Sequence, residues 1–144
     1  MPRLTRPCAL LTLLIAASCG QVEPVLVGAR MPDCAQIGST EMREGRARVV
    51  LGLDGLADVG LYLVRLDEGT SHDDLVEHLD GGSRLPSWSE VVVELRIDDP
   101  QGVGGVEEVV SLDRASYALV CADHAYGSQP ALTVAGPLEV KAPS

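Results

Sequence analysis

The stretch from Glu90 to Ile97, EVVVELRI, alternates apolar and charged side chains. A period of two commits it to a strand with one dry face and one wet face. Val91, Val93, Leu95 and Ile97 are expected to face one way, Glu94 and Arg96 the other. Six more segments read as strands: Val25–Ala29, Arg46–Leu53, Gly60–Leu66, Val106–Leu112, Ser116–Cys121 and Leu132–Val140. Turn signals part them, among them Met31-Pro32-Asp33, Asp54-Gly55 and the Gly-rich run 98–105. GLYLVRL (60–66) is apolar on both faces, which suits a central strand. Gly136-Pro137 breaks the last strand and suits an edge. The spacing predicts an all-β, Greek-key β-sandwich of about seven strands. One short helix is inserted, at about 71–79 within Thr70–Leu79. Ser71 caps it, Asp73 and Asp74 sit at its positive end, Leu75, Val76 and Leu79 form its buried stripe, and Asp80-Gly81-Gly82 stops it.

The N-terminus has a different character. Arg3 and Arg6 precede an uncharged run, Cys8–Ala17, which Ala16-Ala17-Ser18-Cys19 closes. That run is far shorter than the ~20 residues that span a bilayer, and its charge, length and small-residue ending are those of a secretory signal. The ending resembles a bacterial lipobox. The resemblance implies that Cys19 receives a diacylglycerol and that the chain is cut before it. Residues 1–18 are then a lipoprotein signal peptide, 19–24 a lipidated tether and 25–141 the domain. The protein would be held by its lipid at the cell envelope, facing the periplasm or exterior. Losing Arg3 and Arg6 with no acid moves the formal charge from −10 to −12. So acidic a surface repels a phosphate polyanion, which excludes a nucleic-acid partner. Of the four cysteines, Cys8 leaves with the signal and Cys19 carries lipid. Cys34 and Cys121 remain, and an oxidising compartment makes their disulfide the default. Sequence does not set whether their Cα atoms come within bridging distance.

The segment Leu112–His124, LDRASYALVCADH, joins a turn, an apolar strand, a cysteine and, three places on, a histidine. With GLYLVRLDEG (60–69), the acidic helix, the single Trp and the final LEV (138–140), it resembles the cupredoxin, or blue-copper-type, domain over roughly residues 22–141. The resemblance implies a site of two His, one Cys and a weak axial ligand. Cys121 would be the thiolate, His124 one imidazole and Gln129 the axial ligand. The other His is expected just before the strand at 60–66, where 54–59 reads DGLADV. Val59 stands in its place. The implied copper site is therefore degenerate. The expected role is a non-catalytic binding or accessory domain without a cofactor, with an unknown protein or small-molecule partner. Copper binding, electron transfer or metal handling through Cys121, His124 and Gln129 is the alternative. A third reading is an immunoglobulin-like adhesive module.

Other chemistry is weaker. His72 and His78 are six apart and lie on different faces of a helix, so they cannot share a metal from one side. His78 follows Asp74 by four residues, which predicts a helical charge pair. Cys121 and His124 as a nucleophile pair would need a free thiol, and no strained turn or oxyanion loop accompanies them. Asp73, Asp74, Glu77 and Asp80 lack the alternating ligand loop of a calcium site. Gly102-Val103-Gly104-Gly105 lacks the Lys-Ser/Thr of a phosphate loop. Glu107 and Glu108 point to opposite faces of a strand. Trp88, between Pro86 and the strand at 90, is expected in the core or as a cap over the helix.

Overall fold

A computed structural model describes residues 22–55, 58–80, 82, 84–98, 104–124 and 129–143. The described chain forms nine strands and one helix. Sheet A has the order β2-β1-β4-β7 and sheet B the order β3-β9-β8-β5-β6. The strands are β1 (Val25–Met31), β2 (Ala35–Gly38), β3 (Glu41–Arg43), β4 (Gly45–Leu53), β5 (Val59–Leu66), β6 (Ser89–Ile97), β7 (Gly104–Leu112), β8 (Ala115–Asp123) and β9 (Ala131–Lys141). The helix α1 (His72–Leu79) lies between β5 and β6.

The two sheets close over one core. Val27, Ala29 and Met31 of β1 and Ala47, Val49, Leu51 and Leu53 of β4 face inward from sheet A. Val59, Leu61 and Leu63 of β5, Leu119 and Cys121 of β8, and Leu138 and Val140 of β9 meet them from sheet B. The central position expected for β5 is confirmed, because it pairs with β6 on one side and β8 on the other. Asp113-Arg114 carries the chain from sheet A to sheet B. Tyr117, buried at the start of β8, donates its hydroxyl to the Asp113 carbonyl at 2.9 Å and locks that crossing.

Two strands escaped the alternation argument, β2 and β3, and both change the topology. β1 runs parallel to β4, and β3 runs parallel to β9. An immunoglobulin-type sandwich is built from two antiparallel sheets, so the adhesive-module reading loses its structural basis.

Three strand details also differ from expectation. β6 carries a bulge: Leu63 faces Val93 while Val64 faces Val91. The extra residue turns Val91 to the outer face, where it is 43% exposed, and brings Val92 to the core. β9 runs on through Gly136-Pro137 and pairs with β8 from Ala131 to Val140, and the expected break is a shift of register that leaves Ala135 unpaired between Val134 and Gly136. Gly136 lacks a side chain because Gln36 occupies the space where one would stand, and Gln36 Nε2 donates to the Pro137 carbonyl at 2.8 Å. β9 is an edge only over its first part, since β3 covers Glu139–Lys141.

The outer face of sheet B holds the second apolar cluster. α1 packs there against β8 and β9, with Leu75 and Leu79 set on Val64, Leu66, Ala118 and Val120. An isolated helix of eight residues does not persist in water. Two buried leucines at about 1.5–3 kcal/mol each hold this one down. Its start is a capping box: Asp74 N–H donates to Ser71 Oγ at 3.1 Å, and Ser71 N–H donates to Asp74 Oδ2 at 2.9 Å. Asp74 is therefore engaged as a cap, and the charge pair expected with His78 does not form. His78 meets Trp88 edge-on instead, ring centroids 5.9 Å apart. Trp88 is partly buried against this cluster, so it caps the helix layer and stays out of the main core. Val76, expected in the buried stripe, is 43% exposed.

Candidate functional site

Alternation along β8 decides the geometry at its end. Tyr117, Leu119 and Cys121 point into the sandwich, and Ala118, Val120 and Ala122 point to the outer face. Cys121 is 1% exposed within the main core. There it forms a disulfide with Cys34, Cα atoms 5.9 Å apart. Cys34 is partly buried in the turn between β1 and β2, with φ 55°, in the left-handed region that few non-glycine residues adopt. Its Sγ lies 3.4 Å from the carbonyl oxygen of Thr133, the residue that faces Cys121 on β9. The bridge thus ties the edge of sheet A to the middle of sheet B. Among the described residues no cysteine is free.

His124 follows β8 by one residue and sits on the other side of the sheet. Its N–H donates to the Asp58 carbonyl at 2.9 Å. Its Nε2 lies 3.5 Å from where a Cβ would stand on Gly60, an outer-face position next to Ala122. Gln129 lines a shallow outer groove of 330 Å³ with Tyr62, Arg84, Leu85, Val91, Pro130 and Leu132. Val59, which the sequence resemblance set where a histidine ligand would stand, is a buried core residue at 1% exposure.

These positions test the implied copper ligands. The sulfur of Cys121 is bonded to Cys34, His124 is on the opposite face of the sheet, Gln129 is in an outer groove, and Val59 has no donor atom. The residues do not fit a blue-copper centre. Among the described residues no three His, Cys, Asp or Glu side chains gather as a metal site.

The best-organised polar feature at this end is one the sequence did not announce. Arg96 on β6 donates through Nε and Nη2 to the two carboxylate oxygens of Asp58, each at 3.0 Å. The Arg96 hydrogen bonds, helped by the charges of Arg96 and His124, hold the Asp58 carboxyl below its ordinary pKa. Arg96 and Gly60 are cross-strand partners, and the space over Gly60 is taken by the Leu95 carbonyl and the His124 ring. Tyr62 lies next along β5, and burial raises its hydroxyl pKa, with Glu94 adding to the effect. The cluster is half-exposed, and its fork geometry braces the entry to β5 and the exit from β8.

The remaining candidates stay apart. His72 Nδ1 lies 3.6 Å from Asp73 at the exposed start of α1. Glu107 faces outward toward Arg48 at 3.8 Å, as expected of a neighbour pair split between faces. Cys19 and residues 1–18 lie outside the described residues, as do Gly102 and Val103. Among the described residues no helix is long and apolar enough to cross a membrane.

No family model matches the chain, and no curated protein matches it. Among solved structures it is similar to auracyanin A, a blue copper protein from the green thermophilic photosynthetic bacterium Chloroflexus aurantiacus. The TM-score is 0.46 at 17% identity, covering 83% of this chain and 98% of that one. It is also similar to the dithionite-reduced auracyanin of the photosynthetic bacterium Roseiflexus castenholzii. There the TM-score is 0.42 at 14% identity, covering 86% of this chain and all of that one. The sandwich itself stands on the strand pairing given above.

Proposed function

We propose that this chain is an exported, lipid-anchored envelope protein whose folded part, 25–141, is a non-catalytic binding or accessory domain that does not carry copper. The Cys34–Cys121 disulfide carries this reading. It fits an oxidising compartment, and it occupies the one sulfur that a cupredoxin-like site would require as thiolate. The lipobox-like Ala16-Ala17-Ser18-Cys19 supports anchoring through Cys19, and the protein's first partner is then the membrane.

The test is an intact mass of the mature protein, alkylated while denatured, with and without reductant. The expected result is no adduct without reductant and two with it, on Cys34 and Cys121. Expression in a lipoprotein-processing host should yield a chain that begins at an acylated Cys19, and Cys19→Ser should remove the acyl mass. Two adducts without reductant, together with stoichiometric copper uptake and a thiolate charge-transfer band, would overturn the proposal in favour of metal handling by Cys121 and His124.

A further inference from the structure

Two features of sheet B meet at one place. β6 is its last strand, and among the described residues no strand pairs with its outer side. β7 comes near it but pairs with β4. β6 therefore presents backbone N–H and C=O groups of alternate residues without strand partners. Beside this edge, on the outer face, lies the groove of 330 Å³, which reaches from Leu132 on β9 to Tyr62 on β5 and Val91 on β6. The bulge in β6 sets Val91 there, 43% exposed, at the margin of the sheet. Tyr62, Leu85 and Leu132 are only partly buried against the helix-side cluster, so the groove is apolar surface that the fold leaves unfilled. Its lining holds one charged residue, Arg84, and no carboxylate, in a chain with 21 acidic residues. Glu94, the cross-strand partner of Tyr62, stands on the same face outside that lining.

We infer that β6 accepts an extended segment of a partner protein as a further strand of sheet B, with a large apolar side chain of that segment in the groove beside Val91 and a carboxylate on Arg84. The inference rests on the binding-domain reading and names the kind of partner it takes. In strand addition, main-chain pairing gives affinity and side-chain pockets give specificity. An added strand runs about 4.8 Å from β6, and every second side chain of it lies on the outer face, beside a cross-strand neighbour. The one next to Val91 enters the open end of the groove. An acid opposite Glu94 would be repelled, so the carboxylate belongs on the Arg84 side. A second copy of this chain fits less well. Its two outermost strands carry Glu90 and Glu94 on β6 and Glu107 and Glu108 on β7, and each copy has a formal charge of −10.

The experiment selects a phage-displayed library of random peptides on the full mature chain. The binders should share a Phe, Leu or Ile with an Asp or Glu close by. As synthetic peptides they are titrated against the emission of Trp88, the single tryptophan, which packs in the same cluster as Tyr62 and Leu85. Val91→Lys should weaken them by about tenfold or more, because an ammonium then takes the apolar end of the groove. Arg84→Glu should turn the selected acid into Lys or Arg, and both variants should keep the parent's unfolding midpoint. Bound peptide should protect from hydrogen exchange the alternate β6 amides that β5 leaves unbonded. Binders indifferent to both substitutions, or no new protection on β6, overturn the inference and leave the binding-domain reading standing. A parent chain that sediments as a dimer, and as a monomer once Val91→Lys is made, overturns it as well, because a second copy then fills the edge. A selection that returns no binder also overturns it, and the binding-domain reading is then decided by the alkylation and copper measurements above.

Discussion

At the residue scale, the Cys34–Cys121 bond is the strongest single constraint on this domain. It closes a loop with a sequence separation of 87 residues, and a bridge over so long a loop restricts the unfolded chain severely. Replacing both cysteines by alanine should lower the unfolding free energy by about 2–5 kcal/mol; an unchanged urea midpoint would show the bridge to be ornamental. Asp58 makes a different prediction. Its folded pKa is lowered from 3.8, chiefly by the Arg96 hydrogen bonds. Its contribution is therefore present above the unfolded pKa and is lost as pH falls through the lower folded value. Stability measured from pH 6 down to pH 2 should fall less steeply in Asp58→Asn than in the parent, and parallel curves would refute this. The pair is exposed to solvent, so the difference between the two curves should be small. The sequence alone made the disulfide the default by elimination. It also held the answer to Cys121 and His124: three steps along an extended strand reverse the face, so a shared ligand role needed a turn between them. Asp58–Arg96 was not legible, because nothing local links two residues that meet only through strand pairing.

At the element scale, α1 is the least self-sufficient part of the fold. Leu75 is completely buried, and Leu75→Ala should cost about 2–5 kcal/mol. Ser71→Ala, which removes one arm of the capping box, should cost about 0.5–2 kcal/mol. Urea denaturation of the two variants should preserve that order, and a reversal would mean that the cap and not the packing holds the helix. The seven longer strands were legible because each is long enough to show alternation or a sustained apolar run. β2 and β3 were not: at four and three residues, with Gln36, Glu41 and Arg43 among them, they offer no period to read. The bulge in β6 was invisible for a related reason. A run of three valines, 91–93, satisfies either register, and only Val64 opposite Val91 decides which one leaves the core. The buried stripe of α1 was misread at Val76 because the helix rests on only two buried leucines, Leu75 and Leu79.

At the scale of the whole molecule, the sandwich depends on pairings that span nearly the whole domain. Glu41 faces Glu139 in parallel. Without β9, the outer flank of β8 is bare and β3 has no partner. A chain ending before Ala131 should therefore show no cooperative unfolding transition by circular dichroism; a sharp transition in that fragment would show that the core closes without its last strand. Sandwiches dominated by such distant contacts fold in milliseconds to seconds. For a protein delivered across a membrane with its N-terminus leading, this sets an order of events in time. The lipid would arrive first, the strand that completes sheet B last, and Cys34 would wait through most of the delivery for Cys121. If the proposed anchoring holds, the unfinished chain would lie tethered beside the bilayer during that interval with both thiols open to the wrong partner, so its hazard would be greatest before the molecule has a shape at all.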